Sequence, residues 1–210
     1  KENFFEQKTK SMSQSSETLQ KIYIAYFNRP ADVSGLKYWI EHLESGKMSL
    51  ANIALSFSDQ VEYRKEYKDK NIKEVISTLY KNLFNRDPDV SGFEYWVEQV
   101  EKGKVDLGVA ALSILNGAQP GSEDFKIISN KLKFSENFTN NLAINSFADD
   151  YKNFDAFAIV RTVLSKVNAD PNSVFQLIPP LPSDGSSIPN FAVGSITQPI
   201  TILAANFGIG

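Results

Sequence analysis

The segment Asp87-Pro88-Asp89-Val90-Ser91-Gly92, with Glu98 twelfth in line from Asp87, sets hard oxygens at positions one, three, five and twelve. That is the ligand spacing of an EF-hand loop, so Asp87, Asp89, Ser91 and Glu98 are candidate Ca²⁺ ligands. Two features argue against a metal loop. The eighth position, usually aliphatic, is Glu94. The apolar residues Phe93, Trp96, Val97 and Val100 recur at helical spacing, which starts a helix right after Gly92 and removes the second half of the loop. Helix capping by Asp89 or Ser91 without metal is the favoured reading. A parallel segment begins at Pro30 instead of an acid and is the poorer ligand set.

A second constellation suits sugars rather than metals. Tyr38 and Tyr95 sit about opposite the apolar stripe of their predicted helices, where a ring and hydroxyl either pack on a neighbouring helix or face a ligand. Asn28, Arg29, Asn85 and Arg86 lie close by in sequence and carry planar polar groups of the kind that bond hydroxyl pairs. Each arginine has a structural alternative: bracing the end of the preceding helix, or pairing with Asp32 or Asp89. Trp39 and Trp96 share the phase of Leu36, Ile40, Leu43 and of Phe93, Val97, Val100, so both are expected in the core.

Little else could do chemistry. The chain has no Cys and one histidine, His42, which reads as a solvated helix side chain. No nucleophile elbow, phosphate-binding loop or dinucleotide fingerprint occurs. Adjacent acids such as Asp149-Asp150 are common in loops, and no carboxylate pair flanking a cleft can be named. The protein is therefore expected not to be an enzyme.

The elements that must position these residues come from an internal duplication. Tyr23 to Ser56 realigns without gaps on Tyr80 to Ser113, 57 residues on, and about half of the positions in the strongest stretch are identical. Each copy opens with an amphipathic helix: Ile72, Val75, Ile76, Leu79, Tyr80, Leu83 and Phe84 form one stripe, matched by Leu19, Ile22, Tyr23, Tyr26 and Phe27. Pro30 and Pro88 should stop these helices. Gly46 and Gly103 should close the second helices as C′ glycines. Third helices come near 50–57 and 107–115, and others are expected near 59–69, 122–147 and 154–167.

The fold expectation is thus all-α: duplicated helix-loop-helix units in a bundle of eight or nine helices, with copies near 19–57 and 76–115. Residues 1–15 read as an N-terminal extension, 16–168 as the helical domain and 169–210 as a tail. No Lys or Arg occurs after Lys166, and six of the nine prolines lie beyond residue 170. That favours an extended course. Ser195 to Leu203 alternates weakly, a pattern that suits one strand. The tail's large apolar residues, among them Phe175, Leu177 and Ile178, should pack on something. A start at Lys1 and a stop at Gly210 suggest part of a longer chain.

Composition narrows the partners. A content of 42% hydrophobic and 22% charged residues is that of a globular chain. The net charge of −3, with no Lys/Arg cluster, speaks against nucleic acid. No apolar run reaches the length of a transmembrane helix, and no secretory signal peptide is visible.

The repeated signature is carried by Tyr23, Phe27, Asn28, Arg29, Asp32, Gly35, Tyr38 and Trp39, and by Tyr80, Phe84, Asn85, Arg86, Pro88, Asp89, Gly92, Tyr95 and Trp96. It resembles the bacterial helical repeat family called domain of unknown function 4214. The stretch Val160 to Val174 is similar to the region C-terminal to such repeats, and Ala31 departs from the family's usual Pro. The resemblance implies an extracellular protein on the surface of a Gram-negative bacterium, exported by type I secretion. It implies a non-enzymatic surface-layer or exoprotein domain that anchors the protein by binding lipopolysaccharide O-antigen or another surface polysaccharide, with further copies of itself in a lattice. The alternative is an assembly module making protein–protein contacts in an adhesin or lattice. No cofactor is required by this reading, although Ca²⁺ commonly supports such lattices.

Overall fold

The computed structural model describes residues 4–179, 181 and 182, with side chains from residue 13. The alternating segment 195–203 lies outside the described residues. Among those described there are nine α-helices and no strand: α1 (Phe4–Phe27), α2 (Val33–Glu44), α3 (Leu50–Ser56), α4 (Val61–Tyr67), α5 (Ile72–Phe84), α6 (Val90–Glu101), α7 (Leu107–Asn116), α8 (Glu123–Ile144) and α9 (Phe154–Leu164). The all-α duplicated expectation therefore holds. The expected boundary at residue 16 falls inside α1, which runs as one 24-residue helix.

The helices start where short polar side chains satisfy the first free amides. Asp32 and Asp89 accept from the amides of Gly35 and Gly92; Ser49 and Asp106 cap α3 and α7; Ser122 and Asn153 cap α8 and α9. Asn71 and Glu74 close a reciprocal capping box on α5. The ends of α1 and α5 depart from expectation. The helices stop not at Pro30 and Pro88 but at Asn28 and Asn85, which take left-handed φ of 48° and 57°. Asparagine tolerates that region better than other non-glycine residues. Gly46 and Gly103, at φ of 74° and 64°, end α2 and α6 as expected.

One continuous core runs through both units and into α8 and α9. α1 packs on its counterpart α5, and α3 on its counterpart α7. Asn82 Nδ2 donates to the carbonyl of Ala25 at 2.9 Å, and those positions are 57 apart. Gly108 faces its own counterpart Ala51: a β-carbon on Gly108 would stand 2.9 Å from the Ala51 carbonyl and 2.6 Å from the Leu55 nitrogen. The two helix backbones touch, which is possible because residue 108 lacks a side chain.

Trp39 is buried, at 7% exposure, and packs on Phe57. Trp96 is only half-buried, short of the equivalent burial that its phase predicts. The reason lies in the partners. Ile114 occupies the position of Phe57, and α9, whose Phe154 and Phe157 wall the first unit, has no counterpart over the second among the described residues. The start of the tail packs only in part, since Phe175 and Leu177, expected to pack, stay exposed. Pro171–Val174 forms a 3-10 turn against α8, and Val174, Ile178 and Leu181 are buried.

Candidate functional site

Six residues were candidates for holding a sugar, and the structure gives them different tasks. Asn28 and Arg29 are buried, at 8% and 3% exposure, which takes both out of direct reach of a ligand. The Arg29 guanidinium makes two 2.8 Å bonds to the Glu62 carboxylate, one to the Pro30 carbonyl at 2.9 Å, and stacks over Phe157 at 3.6 Å from the ring centre. Burial favours the neutral guanidine, but the Tyr151 hydroxyl and the Glu62 and Asp32 carboxylates outweigh it and keep the charge. Arg161 shares Glu62 at 3.3 Å and reaches Glu66 at 3.0 Å. Structural bracing thus accounts for Arg29.

Arg86 does the same job at the surface. It pairs with Asp124 through bonds of 2.9 and 2.8 Å and bonds the Asp87 carbonyl, while 41% of its side chain stays exposed. Glu62 and Asp124 are both second residues of their helices, α4 and α8. The two salt bridges are therefore equivalent in role, although a longer loop before α8 shifts them out of the 57-residue register. Asn85 is exposed, and its amide donates to the Val167 carbonyl at 2.7 Å.

Asn28 closes a buried polar centre. Its amide donates to Ser165, and its oxygen accepts from the Lys131 amine at 3.1 Å. Lys131 also donates to the Asn82 carbonyl and is fully buried; burial pulls its amine down to about 7. An unfolded chain keeps that amine at about 10.4. From pH 7 upward the folded protein sheds a proton that the unfolded chain retains, so stability rises with pH. We expect a slope of up to about 1.4 kcal/mol per pH unit between about pH 7 and 9, read from urea midpoints, and a flatter profile for Lys131→Met. Above about pH 10 the trend reverses. Burial holds the hydroxyls of Tyr23, Tyr26, Tyr67 and Tyr151 above their usual range, so only the unfolded tyrosines ionise there.

Tyr38 and Tyr95 remain as the accessible members, 50% and 55% exposed, each edge-on to its neighbouring tryptophan. Tyr38 lies in an aromatic groove. That groove, about 580 Å³, runs between α2, the α3–α4 corner and α9, with Tyr38, Trp39 and Phe154 on its walls and Asp32, Arg29 and Glu62 beneath. Asp32 is engaged by the Gly35 amide, Ser34 and Arg29, and Glu62 by Arg29 and Arg161. Tyr38, Ser34 and Gln60 are exposed along it, the Ser34 hydroxyl donating to Asp32 and the Gln60 amide to the Ser56 carbonyl. Ser34, Gln60 and Phe154 were not legible as site residues, because they converge only through the α3–α4 corner and α9. His42 is half-buried rather than solvated. Its ring packs on Tyr38 with centroids 4.0 Å apart, and Nδ1 lies 2.8 Å from the Tyr38 carbonyl.

The candidate calcium ligands do not converge. α6 starts at Val90, so the loop of twelve never forms. Asp89 accepts from Ser91 and from the Gly92 amide, which lowers its carboxyl below the ordinary range. Asp87 pairs with Lys81 at 3.2 Å, and Glu98 pairs with Lys102. Among the described residues no three His, Cys, Asp or Glu are grouped to hold an ion.

The molecule is thus an all-helical repeat pair with an aromatic groove on its first unit. Residues 2–67 and 60–116 each match the family described as Domain of unknown function (DUF4214), and the chain belongs to that family. No curated protein and no solved structure shows significant similarity to it. No helix among the described residues is long and apolar enough to cross a membrane.

Proposed function

We propose that this is a non-enzymatic anchoring domain of an exported surface-layer protein or exoprotein. It holds its protein to the Gram-negative cell surface by binding lipopolysaccharide O-antigen or a similar polysaccharide in the first-unit groove. The observation that carries this reading is the exposed Tyr38 ring at the mouth of an open, aromatic-walled groove with Ser34 and Gln60 beside it. Aromatic faces take the C–H patches of sugars, and hydroxyl and amide groups bond their hydroxyls. The charges beneath are already paired, so a largely neutral glycan fits best. The same pairing speaks against Asp32 and Glu62 as a hydrolytic acid and base.

Because Asn28 and Arg29 are buried and no wall equivalent to α9 covers the second unit among the described residues, sugar binding rests on the first-unit groove rather than on two equal sites. In a pull-down, smooth lipopolysaccharide should bind and rough should not. Tyr38→Ala should weaken binding by about tenfold or more, as losing a main aromatic contact does. Tyr95→Ala should change it much less. Equal binding to rough lipopolysaccharide sinks the O-antigen reading. Undiminished binding by Tyr38→Ala moves the site elsewhere.

The alternative, an assembly module making protein–protein contacts, draws on a different observation: an open face on the second unit.

A further inference from the structure

The two units are alike in sequence but not in what covers them. In the first unit α8 lies across α1 and α2. Its contact is polar at the centre. Gln20 is fully buried; its Nε2 donates to Thr139 Oγ1 at 2.8 Å, and its Oε1 accepts from the Ala31 amide at 2.9 Å. Thr139 Oγ1 in turn donates to the Ala31 carbonyl at 2.7 Å. The positions equivalent to Gln20 and Ala31 in the second unit are Ser77 and Pro88. Both line an open groove of about 650 Å³ between α5 and α6. Val90 at its mouth is 73% exposed, whereas its counterpart Val33 packs against the core.

We infer that the α5–α6 groove is a docking site for a basic amphipathic helix of another protein. The first unit supplies the template: the same face, built from the same repeat, is closed by a helix that brings a small hydroxyl residue to the centre. The charges supply the difference. Glu94 stands where the first unit has Lys37, and with Glu98 and Glu101 it makes the α6 rim acidic, against Lys73 and Lys102. Glu98 is paired with Lys102. A helix with Ser or Thr on its apolar stripe and Lys or Arg on its flank matches that rim; an acidic one does not. This inference does not rest on the polysaccharide reading and uses none of its residues.

The probe is a fluorescein-labelled peptide of residues 131–145, the half of α8 that closes the first unit, with Glu136→Lys. In α8, Glu136 sits beside Glu17 and Lys21. By fluorescence anisotropy the peptide should bind the whole chain, more tightly than the unsubstituted peptide. Val90→Arg, which alters only the second unit, should weaken it by about tenfold or more, and so should Glu94→Lys combined with Glu101→Lys. Circular dichroism of each variant confirms the fold. Absence of binding, binding undiminished by Val90→Arg, or equal binding of the unsubstituted peptide overturns the inference. So does sedimentation showing that the chain self-associates and that Val90→Arg abolishes it, since the occupant would then be a second copy.

Discussion

Replacing Arg29 by Met should lower the unfolding free energy by about 3–5 kcal/mol, because it strands a carboxylate where water cannot reach it. Glu62 is 7% exposed, and its two oxygens spend their best bonds on Arg29. Arg161 reaches Glu62 at 3.3 Å but is shared with Glu66, so it cannot replace a bidentate partner. The substitution also removes a donor from the Pro30 carbonyl and a cation stacked on Phe157. The repeat provides its own control. Arg86→Met breaks the corresponding pair with Asp124 at the surface and should cost at most about 1 kcal/mol, the usual range for an exposed pair. Urea denaturation of both variants decides the matter. Equal losses would show that burial is not what separates the two arginines. The double variant Arg29→Met with Glu62→Met should recover part of the loss, since no lone charge then remains inside.

Gly108→Ala should destabilise the protein toward the upper end of the roughly 1–3 kcal/mol range for overpacking. At an ordinary helical position the same change stabilises by about 1 kcal/mol, so here the sign itself is the test. The new methyl carbon would stand 2.6 Å from the Leu55 nitrogen and 2.9 Å from the Ala51 carbonyl. Both obstacles are backbone, so no side chain can swing aside, and α3 and α7 must separate. A thermal melt with an unchanged or raised midpoint would contradict the close approach of these helices.

The helical units could be read from the sequence because periodicity, caps and closing glycines all agree on them. Asp32, Asp89, Gly46 and Gly103 do what their positions suggest. The site was legible only in part. Tyr38 and Tyr95 are off the apolar stripe, and both are exposed, because phase is a local property of one helix. What surrounds them is not local. Arg29 and Arg86 both follow Phe-Asn and stand three residues before an Asp, yet one is buried and the other exposed. The difference is made by α9 and Tyr151, more than a hundred residues away in the chain. Separation in the chain also hid Glu62, 33 residues on, as the partner of Arg29 and Lys131, 103 residues on, as the partner of Asn28. Proline is the stronger and more familiar stop signal, which is why it overshadows the true end of α1 and α5. The left-handed asparagine just before it is a weaker signal in a bare sequence.

Ala25 meets Asn82, and Ala51 meets Gly108. In each case a residue touches its own equivalent, and α1 and α3 pack on α5 and α7 in the same way. Such contacts arise where two like bodies are related by a dyad, as in an isologous homodimer. The pair is closed: the faces that join the units are used up by the joining, so a third unit has no place on them. A unit standing alone would carry faces that match its own twin. Linking the two in one chain turns what would be a bimolecular equilibrium into an internal contact, whose strength no longer falls as the protein is diluted.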